Sequence, residues 1–373
     1  MNYIIALLIL ITFLLLCLLV NRLNFKAIKV VFLAFIIILS LVAYNFLPNE
    51  SMDLSRLFSA LDATRLNGAG YLFGASDYAG LPVASAFFYV ISLFNNNHLL
   101  PFFACFLYYF LTTYVVIHYT EKNNKSKVGM VVALVLFYFV SNYLGVISEI
   151  RNPLAISLFC FLVYFDLGSG FRNFKFIIGY ILLCLLHPSM VILLIIRMLL
   201  FLNKRNDGII SILLLLWSSF KWVIVSVLGA ISGSTFVGLL MQKLTAYDMD
   251  EAKAVANVGL YTAIYLGVYA FVYVLYRMLL AKIKKEEGGI EKYRNNIRLF
   301  RFVFAFFLGS IFEYHLFVRF SRLIVCFGVF IFIDLISKEK KRFNKLIYAL
   351  LLLSVAMALL VFYFMGQYLV LIQ

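Results

Sequence analysis

The chain has 373 residues, 65% of them apolar and 13% charged, with a formal net charge of +15. Soluble domains sit nearer half apolar, and no polar stretch here is long enough to build a separate core, which excludes a soluble domain. The positive excess does not point to nucleic acid, because it is confined to alternate loops: six segments on one side carry 21 Lys/Arg, while the opposite loops carry 7 against 9 Asp/Glu.

Several apolar stretches reach the ~20 residues that cross a bilayer as a helix. The fold class is therefore an all-α polytopic membrane protein, with one integral domain over residues 1–373. The charge skew makes the basic loops cytoplasmic. Residues 3–20 run inward as a first span, with no basic start and no small-residue cleavage site, so they read as retained. Residues 30–47 run outward into an external loop over 48–80. Leu81–Phe94 is too short for a comfortable span and reads as a helix dipping in from the outer face. Counting it as a crossing turns the basic Lys122–Lys127 loop outward.

Residues 99–118 then go in, 129–148 out and 153–166 in. The apolar run Phe176–Leu202 is interrupted by "CLLHPSM" and has basic flanks at both ends, Arg172 and Lys175 before it, Lys204 and Arg205 after it. It must go out and return. Each arm has about 12 residues, roughly 18 Å of helix against a hydrocarbon core of about 30 Å. His187–Pro188–Ser189 is then the tip of a short hairpin that stops below the outer surface, and proline suits that turn. Residues 208–229 go out, leading to a second external loop over 231–257. Residues 258–280 go in, 296–313 out, 320–337 in and 346–366 out, giving about 11–12 transmembrane helices with the hairpin included. The five cysteines all fall in apolar stretches without CxxC spacing, which predicts buried thiols, neither disulfides nor metal ligands.

Four polar clusters converge on the outer face. "SEIRNPLA" puts Glu149 and Arg151 beside a helix start, with Asn152 and Pro153 reading as N-cap and first helical residue. The hairpin tip supplies His187. "FEYHLFVRFSRL" sets Arg319 and Arg322 three apart, on one helix face. "SMDLSRLF" in the first external loop carries Asp53 and Arg56. Each has a plain reading as well: a solvated loop end, a packing histidine, arginines touching headgroups. Ionisable groups at membrane depth are costly, however, and face a cavity or a partner. The Asp248 and Asp250 pair reads better as a solvated loop than as a cation site, and most of the aromatics read as packing.

An outward cavity lined by arginines at headgroup depth suits an anionic lipid. Guanidinium groups bind phosphate bidentately and keep their charge. If a lipid diphosphate is the leaving group, they also stabilise the charge that grows on it. Sugar transfer without a metal then needs a base for the attacking hydroxyl, and Glu149, Asp53 and His187 are the external candidates.

The run from Glu149 to Leu194 resembles the EpsG/Wzy family of exopolysaccharide and O-antigen polymerases. Arg151, Leu154 and Ala155 match one family motif, and His187, Pro188 and Ser189 match another. "MDLSRLF" resembles the acidic-aromatic motif of the family's first external loop, and "VRFSRLIVCFGVF" is similar to its late arginine-containing helix. Asn152 stands where glutamine is common, Leu186 where phenylalanine is, and Met190 where alanine is usual. Leu57 and Phe58 follow Arg56 where tyrosines are frequent.

The resemblance implies a GT-C-like glycosyltransferase that needs no cofactor or metal. It would polymerise polyprenyl-diphosphate-linked repeat units on the outer face of the cytoplasmic membrane. Its partners would be the lipid-linked glycan donor and acceptor, membrane lipid and a chain-length regulator protein, with no nucleic acid. Arg151, Arg319, Arg322 and Arg56 would bind the diphosphate, His187 would orient donor or acceptor, and Glu149 or Asp53 would be the base. The alternatives are a lipid-linked glycan flippase or transporter and an O-antigen ligase. A flippase calls for charges reachable from both faces and usually for repeated halves. The modest 231–257 loop speaks against a ligase.

Overall fold

The computed structural model describes residues 19–20, 22–50, 52–76, 78–141, 143–169, 173–230, 258–286 and 289–338. The expected first and last spans, the 231–257 loop with Asp248 and Asp250, and Cys17 lie outside them. The described residues form helices and no strand: α1 (Phe25–Tyr44), α2 (Asp53–Asn67), α3 (Pro82–Ser92), α4 (Leu99–Lys122), α5 (Lys127–Val140), α6 (Tyr143–Ser148), α7 (Arg151–Gly168), α8 (Phe174–Leu186), α9 (Met190–Leu199), α10 (Asp207–Leu215), α11 (Trp217–Ala230), α12 (Val258–Ile283), α13 (Gly289–Lys292), α14 (Arg294–Gly309) and α15 (Tyr314–Lys338).

The protein is an all-α polytopic membrane protein. Helices α1, α4, α12 and α15 are long and apolar enough to cross a bilayer, and α3, α5, α8 and α9 are shorter apolar helices. Several starts at the basic end carry side-chain caps. Asn24 Oδ1 accepts the Ala27 N–H at 2.8 Å, Ser126 Oγ that of Gly129 at 3.1 Å, and Asn173 Oδ1 that of Lys175 at 3.2 Å. Each satisfies one of the four N–H groups a helix start leaves open.

Helix α15 is the central post. Of its most apolar window, 78% is buried, against 33% for α1, which lies at the periphery. Around α15 pack α12, α5, α14, α7 and α4. A Cβ at Gly328 would stand 2.9 Å from Val272 Cγ2, so its absence lets α12 lie close; small residues serve membrane helix packing in this way.

Two spans expected to be continuous are broken. The 129–148 run bends at Ser141, whose extended backbone ends α5 and whose Oγ meets the Tyr108 hydroxyl at 3.2 Å. The 208–229 run breaks at Leu216, where it crosses Gly309. A side chain on Gly309 would strike the Leu214 and Leu215 carbonyls, and the Ser218 hydroxyl bonds the Gly309 carbonyl. Neither break has a proline to announce it.

The 48–80 segment, expected to be an external loop, holds more structure than a loop, since residues 53–67 form α2. Its Arg65 ties it down: Nε donates to Ser92 O at 3.1 Å, Nη1 to Asn97 Oδ1 at 2.6 Å and Asp62 Oδ1 at 2.7 Å, and Nη2 to Phe94 O at 2.9 Å.

The hairpin is α8 and α9, of 13 and 10 residues, or about 20 and 15 Å at helical rise. Pro188 disfavours the helical region for the residue before it, and His187 is extended (φ −149°, ψ 122°), which ends α8. A buried ion pair closes the other end: Arg197 Nε and Nη2 meet Asp166 Oδ2 and Oδ1 at 2.5 and 3.2 Å, and Tyr180 donates to Oδ2 at 3.0 Å. Next to it, Asp207 holds both Arg298 (2.8 Å) and Arg301 (2.5 Å). Arg298 also donates to the Leu200 and Leu202 carbonyls, each at 2.8 Å. Cys105, Cys160, Cys184 and Cys326 are free, buried thiols.

Candidate functional site

The turn from α6 into α7 aims the first two candidates. Ile150 is buried at φ +21°, a backbone conformation that a β-branched residue rarely adopts. Local strain of this kind concentrates at functional sites, and here it separates Glu149 from Arg151. Helix α7 starts at Arg151, one residue before the expected Asn152 cap, so Pro153 sits in the first turn, where its missing N–H costs no helix bond.

Glu149 turns toward α15. Its Oε2 lies 2.9 Å from Arg322 Nη1 and 3.9 Å from Arg319 Nε. Arg322 Nη1 also donates to Asn152 Oδ1 at 3.1 Å. Arg322 and Asn152 are buried to 4% and 1% exposure, whereas Glu149 keeps 29% of its side chain exposed. Burial acts against the charge on Glu149, but Arg322 and Arg319 outweigh it and hold the carboxyl below its usual range. Two buried donors, Arg322 Nη2 and Asn152 Nδ2, have no hydrogen-bond acceptor among the described residues. A buried donor without a partner costs about 1–3 kcal/mol, so both are suited to an oxygen-rich ligand.

Arg151 turns the other way and stacks on Tyr78, its guanidinium carbon 4.7 Å from the ring centroid. Tyr78 is held in turn by Ser85 of α3, whose hydroxyl donates to the Tyr78 carbonyl at 2.9 Å, and by an edge contact to Phe88.

His187 is buried at the hairpin tip. Its Nδ1 is 2.7 Å from Ser189 Oγ and accepts the Ser189 N–H at 3.3 Å, which leaves the ring proton of the neutral form on Nε2. Helices α7 and α8 are antiparallel neighbours that touch at Leu162 and Gly179 and at Phe159 and Tyr180. Counting from those contacts puts His187 level with residues 152–154, at the depth of Asn152.

Asp53 and Arg56 are not brought into this group. They sit exposed at the start of α2, paired with each other. Helix α2 itself packs on α6, next to the turn that carries Glu149.

One participant was not singled out from the sequence. His315 precedes Arg319 and Arg322 by four and seven residues, the spacing of one helix face, and its charge also acts on Glu149. That spacing was the available signal. Lys221 and Glu313, 3.8 Å apart and both nearly fully buried, add a charge pair just before α15 starts; nothing in their spacing announced it.

The site therefore gathers one carboxylate, two arginines and an amide from two distant stretches, with Arg151 and His187 at neighbouring positions on α7 and the hairpin. The EpsG family model matches residues 83–371, a span that includes all of these residues but neither Asp53 nor Arg56. No curated protein and no solved structure matches the chain.

Proposed function

The chain belongs to the EpsG family, a polysaccharide polymerase type of membrane protein, and on that premise we propose that it is a glycosyltransferase. It polymerises polyprenyl-diphosphate-linked oligosaccharide repeat units on the outer face of the cytoplasmic membrane. The observation that supports this best is the pair of buried donors, Arg322 Nη2 and Asn152 Nδ2, on the site's one fully buried guanidinium and the amide bonded to it.

In this reading Arg322 and Arg319 bind the donor diphosphate. The acceptor hydroxyl oxygen attacks the anomeric carbon of the donor glycan. The carbon–oxygen bond to the diphosphate breaks and its electron pair leaves with the diphosphate, where the arginines stabilise the added charge. The hydroxyl proton goes to Glu149. Both arginines touch Oε2, which leaves Oε1 for that proton. A carboxylate so held is a weak base, suited to a hydroxyl whose proton leaves late, after the new bond has begun to form. Arg151 on its Tyr78 platform lies beside the sugar, because guanidinium and aromatic faces suit diphosphate and pyranose together. His187 orients the donor or acceptor. Asp53 and Arg56, exposed and self-paired, hold no assigned step.

Deletion of the gene with a readout of glycan length tests the proposal. A single repeat unit, capped on its lipid or ligated product, is the expected outcome. Lipid-linked units trapped on the cytoplasmic side would overturn it in favour of a flippase.

A further inference from the structure

A cavity of about 540 Å³ lies at the end of the bundle opposite Glu149, where the same two helices finish. Its rim includes Lys122 and Asn123 at the end of α4, Asn296 of α14 and Asp334 of α15. Its depth is apolar and aromatic, with Val163 and Tyr164 of α7 facing Phe300, Phe327 and Phe330. From Asp334 to Phe327 is seven residues of helix, about 10 Å. Such a slot, polar at its mouth and largely hydrocarbon-like inside, has the size and lining of ligand sites, with its charged groups, Lys122 and Asp334, at one end.

The charges at the mouth decide what fits. Asp334 is neutralised in place: Lys125 meets it at 2.8 Å and the Tyr119 hydroxyl donates to it at 2.6 Å. Lys122 is exposed and has no ion pair among the described residues, so it sets the sign of the mouth. The flanking loops are the basic ones, and basic residues beside a membrane attract anionic headgroups by about 1 kcal/mol each. A soluble anion would satisfy Lys122 but leave the aromatic depth unfilled.

We propose that this cavity binds one anionic phospholipid from the leaflet at the basic end, with a hydrocarbon tail between α7 and α15 and the phosphate at Lys122. The site is separate from the polymerase reading and does not depend on it.

The test is native mass spectrometry of the full-length chain in detergent, with added phosphatidylglycerol, phosphatidylcholine or glycerol phosphate. The wild type should retain one phosphatidylglycerol in preference to phosphatidylcholine. Val163→Trp fills the slot and should lower retention of both lipids at least about tenfold. Lys122→Glu, at an exposed helix end where the fold is not at stake, should abolish the preference, about a tenfold change, while phosphatidylcholine still binds. Unchanged retention in Val163→Trp overturns the proposal. So does displacement of the lipid by glycerol phosphate, which would make this a phosphate site only. Failure of the wild type to retain lipid, as when another segment of the chain fills the slot, overturns it equally.

Discussion

Arg322 and Glu149 lie 173 residues apart in the chain and meet at 2.9 Å, with Asn152 accepting from the same guanidinium nitrogen. Glu149→Gln leaves Arg322 buried with its charge uncompensated except by the amide. Removing one partner of a buried pair costs about 3–5 kcal/mol. With 29% of the Glu149 side chain exposed, a loss of about 2–3 kcal/mol is expected after allowing for solvent screening. Denaturation of the purified variant in detergent measures it, and a loss below about 0.5 kcal/mol would class the pair with surface bridges.

The same pair fixes a pH dependence. The folded carboxyl of Glu149 is depressed, so its contribution is present above the ordinary glutamate value of about 4.3 and is lost as pH falls through the lower folded value. The melting-temperature gap between wild type and Glu149→Gln should stay level from about pH 7 to pH 5 and narrow below about pH 4. A gap that closes between pH 7 and pH 5 means that Glu149 titrates high and is not held by the arginines.

Arg322→Lys keeps the charge but loses the guanidinium that reaches Glu149 and Asn152 through Nη1 while keeping Nη2 for a ligand. Polymer formation from lipid-linked repeats should fall about 100-fold, roughly 3 kcal/mol of transition-state stabilisation. Normal chain length and rate from the lysine variant would show that one point charge is enough.

Arg151 stacks on Tyr78 at 4.7 Å, so ring and guanidinium act together. Tyr78→Phe keeps the ring and should retain polymer formation. Tyr78→Ala and Arg151→Lys should each lower it about 5- to 30-fold, the 1–2 kcal/mol of a desolvated cation–π contact. Gel profiles of glycan length separate the cases, and full-length polymer from Arg151→Lys would remove Arg151 from the site.

The Asp166–Arg197 pair is almost fully buried and ties the end of α7 to the hairpin. Asp166→Asn or Arg197→Met alone should cost about 3–5 kcal/mol, whereas the double variant should recover most of that, because two neutral groups leave no stranded charge. Additive losses in the double-mutant cycle would exclude this coupling.

Much of the architecture was legible because membranes impose simple rules. Basic flanks around Phe176–Leu202 demanded an out-and-back path, and Pro188 located its tip, which is where α8 and α9 meet. The match between "EIRNPLA", the histidine tip and the late arginine helix also pointed to the residues that the fold gathers around Glu149. The buried pairs were not legible. Asp166, Asp207 and Arg298 sit among loop-end charges that report topology equally well, and only the packing of α9, α10 and α14 decides that they are enclosed. The break at Leu216 escaped for a similar reason. Its cause is Gly309, nearly a hundred residues away, and local periodicity holds no record of it.

Because α15 is both the central post and the carrier of Arg319 and Arg322, the order of synthesis matters to this protein. At about 5–20 residues per second, a ribosome adds Arg322 roughly 10–35 s after Glu149. Until then Glu149 has neither of its arginine partners, and α4, α5 and α7 have no common surface to close upon. The earlier helices must therefore wait in the bilayer without their central post. A chain cut short before α15 inherits the loops, the hairpin and the carboxylate, but neither of the arginines that pair with Glu149.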